Sequence, residues 1–252
     1  MRLMAVPDAR RDTLWPAMPR RLPLAAVMAL LAMICLVPTP AGAVSVAHVQ
    51  RLAQVMTPHR VRARPDGHAP VIEVVQPRRP ITNERTILPV LAQQRGKQGV
   101  LWLKVLLPGR PNGHTGWIEQ PGTVGATTRW ALVIHLGQRR VDVFRTGRLT
   151  ESFPAVVGKP STPTPIGHFF VEEWLRITPG YPGGPFALAL SARSNVFQEF
   201  DGGPGQIALH GVFGIGGTPG TAVSHGCVRL DSSAMAWLGM HIHGGVPVTI
   251  TP

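Results

Sequence analysis

Between residues 130 and 145 the apolar positions come in two bursts, "WALVIHL" and "VDVFR", parted by the polar Gln138-Arg139-Arg140. In the second burst Val141 and Val143 alternate with Asp142 and Phe144. That two-residue period predicts a half-buried strand, and the polar break predicts a hairpin turn. "ESFPAVVG", "IGHFFVEEWL", "FALALSA" and the terminal "VPVTI" read as further strands. Upstream, from 59 to 122, the runs "VIEVV", "TILPVLA", "VLWLKVLL" and "GWIE" are split by "QPRRP", "QQRGKQG" and "PGRPNGHTG". Short alternating runs joined by glycine-containing loops predict small antiparallel strands closing into a compact barrel. Helical spacing is clear in "DSSAMAWLGMHIH", where Asp231 can cap, Met235, Leu238 and Ile242 share a face, and Gly244-Gly245 stop the helix. "SVAHVQRLAQVM", within 44–58, predicts a short helix or a linker, and "PGTVGATTR" at 121–129 a domain boundary. The expected architecture is mainly β, with a small barrel at 59–122 and a larger β domain at 128–252 carrying one short helix.

Composition agrees with this reading. Glycine at 28 and proline at 26 of 252 residues suit many short strands better than long helices, and 44% hydrophobic content excludes global disorder. The first 43 residues form a separate unit of another kind. Arg20 and Arg21 precede an apolar run of 16 residues, Leu22 to Val37, and "PTPAGA" ends in a small-x-small site at Ala41-Gly42-Ala43. This is the layout of an export signal, with Met18 as a tidier start than Met1. The apolar run falls short of the about 20 residues that a membrane span needs, although an uncleaved anchor is the alternative.

Export changes the meaning of the cysteines. Cys35 sits inside the signal, so cleavage leaves Cys227 as the sole thiol, in surroundings where thiols oxidise and pair. An unpaired cysteine there is either a small buried hydrophobe or a reactive group. The net charge of +12 falls only to about +9 once the five arginines and two aspartates of residues 1–43 are removed. Such a surface favours anionic partners, and export turns that preference from nucleic acid toward cell-wall polymers. No helix-turn-helix or zinc-finger spacing appears to argue otherwise.

The candidate chemistry lies in "QIALHG" and "SHGCVRL". In extended geometry Ile207 and Leu209 face one way, while Ala208 and His210 face the other. Beyond Gly226, Val228 and Leu230 point to one side and Cys227 and Arg229 to the other. Two strand ends, each with a histidine, can therefore converge on one sulfur. The thiolate is the nucleophile, and an imidazole either lowers the thiol pKa from about 8.5 or accepts its proton. Backbone amides near Gly226-Cys227 can bind a developing oxyanion. Acyl transfer through a thioester is the chemistry implied. Cys227 with His210 and His225 could also make a three-ligand zinc set, but no Cys-x-x-Cys or His-x-x-x-His pair supports one, and no cofactor signature is present. Arg229 is open to two roles, a structural ion pair or a grip on a substrate carboxylate.

"IALHG…SHGCVRL" resembles the signature of the L,D-transpeptidase catalytic domain, the YkuD-like family. The signature elements are His210-Gly211, thirteen residues from Gly211 to Val223, then Ser224-His225-Gly226-Cys227, Val228 and Arg229. "VVGKPSTPTPIGHFFV" (156–171) is similar to a second family pattern, with Thr162, Thr164 and, further on, Tyr181 read as turn and strand residues. The resemblance covers 128–252 and implies a β-sandwich catalytic domain. In it Cys227 would be the nucleophile and His210 the proton acceptor and donor. The Gly211 carbonyl would orient His210, and His225, Gly226 and Cys227 would shape the oxyanion site with Ser224 and Arg229 in support. It implies attack before the terminal D-alanine of a peptidoglycan stem, transfer to an amine of a second stem, and acylation by carbapenems. The segment 59–122 resembles bacterial Src-homology-3-like modules through "WLKVLLPGRPNGHTGWIEQ". An L,D-carboxypeptidase using the same thioester, and a non-catalytic wall-binding protein, are the alternative functions. The expected partners are stem peptides and anionic wall polymers, not nucleic acid, and the expected state is a monomer.

Overall fold

The computed structural model describes residues 45–97, 99–200 and 202–252, so the export signal read at 1–43 lies outside it. The alternation at 130–145 folds as a hairpin of β8 (Trp130–His135) and β9 (Arg140–Arg145), with Leu132, Ile134, Val141 and Val143 buried. Its turn needs a left-handed residue, and Arg139 supplies it with φ 51°. The other strands of this sheet are β10 (Arg148–Pro154), β12 (Gly167–Arg176), β13 (Phe186–Arg193), β14 (Gln206–Gly211), β16 (Val228–Leu230) and β17 (Pro247–Thr251). Their order is β10-β9-β8-β17-β12-β13-β14-β16. β12 belongs to both halves: Gly167 to Phe170 pair with β17, and Val171 onward with β13 across a register shift. The two halves share one core with the helix, which is the β-sandwich arrangement expected. A two-stranded parallel ribbon, β11 (Val157–Gly158) with β15 (Ala222–Ser224), lies beside it.

The helix α1 spans Ser232–His241, and Asp231 caps it by accepting the Ala234 N–H at 2.9 Å. Ala234, Met235 and Leu238 are buried. The helix stops before the glycines that were read as its end. Ile242 already turns extended (φ −110°, ψ 124°), which keeps its side chain fully buried, so core packing sets the terminus.

The N-terminal module is a seven-stranded sheet, nearly closed into a barrel, in the order β3-β2-β6-β5-β4-β1-β7. Its strands are β1 (Gln50–Val55), β2 (His59–Arg62), β3 (Val71–Val75), β4 (Ile87–Arg95), β5 (Leu101–Leu106), β6 (Thr115–Glu119) and β7 (Thr123–Thr128). Two readings need correction. Residues 50–55, read within a helix or linker at 44–58, are a strand pairing with β4 and β7. A short isolated segment gains too little from helix formation, whereas two ladder partners satisfy its backbone on both sides. Residues 123–128, read as a domain boundary, are the outer strand of the same sheet. The module and the larger domain also share side chains, because Phe170 of β12 is buried in the module's core. Beside it Arg79 pairs with Glu172, and Thr82 N–H and Oγ1 both reach Glu173 Oε2 at 2.9 Å. Those two carboxylates are buried, and such charges persist only when paired.

Candidate active site

β14 and β16 lie parallel with Leu209 opposite Val228, His210 opposite Arg229 and Gly211 opposite Leu230. The period of two then sorts their side chains. Ile207, Leu209, Val228 and Leu230 fall into the core. His210, Cys227 and Arg229 are left on the other face, where all three line a cavity of about 270 Å³ with Phe197, Phe200 and His225. Thiol and imidazole thus line the same cavity, with no hydrogen bond between them among the described residues. Cys227 is a free, half-buried thiol. His225 does not join the imidazole pair. It is exposed and stacks on Phe200 with ring centroids 6.1 Å apart.

His210 is held by its own neighbour, with Nδ1 3.0 Å from the Gly211 carbonyl. A carbonyl only accepts, so Nδ1 carries the proton and Nε2 is the free base, the tautomer that a proton acceptor needs. Gly211 is required by crowding: a Cβ there would lie 2.1 Å from the Gly184 carbonyl oxygen. Residues 183 and 184 cross the strand end at that point, and the Gly211 N–H donates to the Gly183 carbonyl at 2.7 Å.

The turn carrying the thiol is bound on several sides. Ser224, fully buried, donates its hydroxyl to the Cys227 carbonyl at 2.6 Å and accepts the Gly226 N–H at 3.1 Å. Thr162 Oγ1 reaches the Ser224 carbonyl at 3.1 Å and Thr164 Oγ1 the Gly226 carbonyl at 2.8 Å. These two threonines, read from sequence as turn residues, are the buried supports of the turn. Tyr181 is 66% exposed. Gly226 holds φ 121°, in the region that favours glycine. One expectation is corrected. The Gly226 N–H is engaged by Ser224 and cannot face an oxyanion, because a short side chain two residues away closes a tight turn on it. The Cys227 N–H has no hydrogen-bond partner among the described residues and is the donor left over.

Electrostatics fix the resting protonation state. Burial pushes the His210 pKa below its ordinary 6.5 against the Gly211 bond that raises it, and the Arg229 charge lowers it further. Burial also pushes the Cys227 thiol above its ordinary 9.0, outweighing a hydrogen bond from the Ala208 backbone and the Arg229 charge. At neutral pH the pair is thus neutral thiol and neutral imidazole. Arg229 is itself buried. It gives one bond, Nη1 to the Gly216 carbonyl at 3.1 Å, leaves Nε unpaired, and has no carboxylate partner among the described residues. The structural ion pair considered from sequence is therefore absent there.

The loop at 178–185 meets the end of β14 beside His210 without lining the cavity. One wall segment was missed from sequence. The segment following β13 contributes Phe197 and Phe200, and nothing in its pattern signals that role.

A β domain presenting a thiol and a correctly tautomerised imidazole from adjacent strands into one cavity defines a candidate cysteine-dependent enzyme. The family model of the L,D-transpeptidase catalytic domain, YkuD, matches residues 129–250, and that part of the chain is a domain of this family. The YkuD protein of Bacillus licheniformis, which carries the L,D-transpeptidase name, is 26% identical over 171 residues, 68% of this chain and 88% of that one. The Bacillus subtilis YkuD is 26% identical over 146 residues, covering 58% of this chain and 73% of that one. Among solved structures, LdtMt1 in complex with imipenem is 20% identical, covering 64% of this chain and 98% of that one at a TM-score of 0.41. Residues 129–250 thus form an enzyme domain of the L,D-transpeptidase class.

Proposed function

We propose that the chain is an exported acyltransferase that cross-links peptidoglycan through a thioester on Cys227. The observation that carries this reading is the His210 Nδ1 bond to the Gly211 carbonyl, which leaves Nε2 basic in the cavity that holds the sulfur. In the first half-reaction Sγ attacks the carbonyl carbon before the terminal D-alanine of a tetrapeptide stem, and its proton passes to His210 Nε2. The oxygen becomes an oxyanion facing the Cys227 N–H. The C–N bond then breaks, His210 returns the proton to the leaving amine, and a thioester remains. In the second half-reaction an amine of another stem attacks the thioester, His210 takes its proton, and Sγ leaves. Arg229 supplies the charge for a donor carboxylate, since a buried guanidinium without a carboxylate partner among the described residues is costly unless a ligand supplies one. Ser224, Thr162 and Thr164 hold the turn, and Gly226 gives it its conformation.

The test is incubation of the purified protein with tetrapeptide-bearing muropeptides, followed by product analysis. Cross-linked dimers that vanish in Cys227→Ala support the proposal. Tripeptides alone assign the enzyme to hydrolysis, and unchanged turnover by Cys227→Ala refutes the thioester. A stoichiometric imipenem adduct on Cys227 is the accompanying expectation, read by intact mass.

A further inference from the structure

We propose that Arg110, carried by the N-terminal module, is a positioning residue that holds the aromatic lip of the Cys227 cavity, so the module shapes the substrate groove without lining it. The inference rests on the proposed function for the identity of the groove. Its own grounds are geometric. Arg110 lies in the loop between β5 and β6 and reaches across to the segment after β13. Its Nη1 donates to the Pro204 carbonyl at 2.9 Å, and its Nη2 to the Ser194 and Phe197 carbonyls at 2.8 Å each. Asn112, two residues on, adds a second grip: it donates to the Arg193 carbonyl at 2.7 Å and accepts the Arg193 N–H at 2.8 Å. The segment so held carries Phe197 and Phe200, which line the cavity and flank the His225 ring at 6.2 and 6.1 Å.

These bonds do something the lip cannot do alone. Its own fastenings are local, chiefly the Ser194 N–H to the Gly205 carbonyl at 2.7 Å and the Val196 and Phe197 N–H groups to Ser194 Oγ. They close the base of the lip but leave no tie to the rest of the sheet at its middle. A planar guanidinium can gather several carbonyls that a helix or strand would otherwise satisfy, and its fork fixes their mutual positions. Phe197 is one such carbonyl, so a ring that lines the Cys227 cavity takes its place from Arg110. Positioning of this kind acts on substrate binding before chemistry, because Arg110 does not line the cavity that holds Cys227 and His210.

The test compares wild type, Arg110→Ala, Arg110→Lys and the surface control Arg60→Ala in the full chain. Hydrogen exchange is read at the amides of residues 194–200, and kcat and KM are read on tetrapeptide-bearing muropeptides. Arg110→Ala should speed exchange in that segment and raise KM roughly tenfold with kcat held within about twofold. Arg110→Lys keeps the charge and recovers part of the loss, and it stands in if the alanine variant does not fold. Arg60→Ala should match wild type in both readings. Wild-type exchange in Arg110→Ala overturns the proposal, and so does faster exchange with an unchanged KM. Should wild type turn over no muropeptide, the proposed function fails instead, and the exchange arm still decides whether Arg110 holds the lip.

Discussion

Thr164→Val tests the support of the turn that carries the thiol. Valine has the shape of threonine, so the substitution removes a hydroxyl and little else. Thr164 is buried, and its Oγ1 does two jobs: it donates to the Gly226 carbonyl at 2.8 Å and accepts the Gly158 N–H at 3.0 Å. Both backbone groups lose their partner at once. An abandoned buried polar group costs about 1–3 kcal/mol, and Gly158 is half-buried, so the pair should cost about 2–5 kcal/mol. For a chain of this size each kcal/mol lowers Tm by about 2–4 °C, which gives a fall of about 4–20 °C in a thermal scan. Thr164→Ser keeps the hydroxyl and gives up one methyl group, about 1 kcal/mol, so it should recover most of the difference. The loosened turn should also let iodoacetamide reach the sulfur faster. A valine variant melting within about 1 °C of wild type, or a serine variant melting as low as valine, would refute the bonding scheme.

The neutral resting pair fixes a pH profile. Acid protonates His210 Nε2 and removes the base, so kcat/KM should fall as pH drops, with a midpoint below 6.5. Alkali removes the thiol proton, so alkylation by iodoacetamide in the absence of substrate should climb with a midpoint above 9.0, where a preformed ion pair would instead react at a level rate through neutrality. Arg229→Met should raise KM for stems ending in a free carboxylate by about 10–100-fold, the worth of a charge-assisted hydrogen bond, and should not change it for stems ending in an amide. Gly211→Ala puts a carbon 2.1 Å from the Gly184 carbonyl oxygen, which thermal melting should register as a loss of at least about 1–3 kcal/mol.

Legibility followed burial on one face. β14 buries every second side chain and β16 sends Val228 and Leu230 into the core, so Ile207, Leu209, Val228 and Leu230 announced the strands and, by exclusion, the face bearing His210 and Cys227. β1 buries Leu52 and Ala53 in succession, and β7, "TVGATT", buries no side chain at all. Neither has a clean period to read, and ladder pairing makes them strands, β1 between β4 and β7 and β7 on β1 alone. The Gly226 amide was read as open for a related reason. Glycine beside a nucleophile suggests open amides, but the Ser224 hydroxyl already occupies the Gly226 N–H, and a side-chain rotamer is not written in spacing. The lip was hidden by distance, since Phe197 owes its place to Arg110, 87 residues away.

One physical cause, removal of the site from water, moves both members of the pair toward their uncharged forms. That choice has a cost in nucleophilicity and a benefit in persistence. The thiolate is the species that oxidants and stray disulfides attack, so a sulfur kept protonated at rest is slow to be lost to oxidation. Under the proposed mechanism attack waits for a carbonyl, because only as the new bond forms does the proton move to His210. A substrate carboxylate held by Arg229 would serve the same ordering, placing the scissile bond before the base is used. By this reasoning hydrogen peroxide should inactivate the enzyme faster as pH rises, in step with alkylation and out of step with turnover. Peroxide inactivation already at its plateau near neutral pH would show a thiolate at rest, and the general-base role of His210 would fall with it.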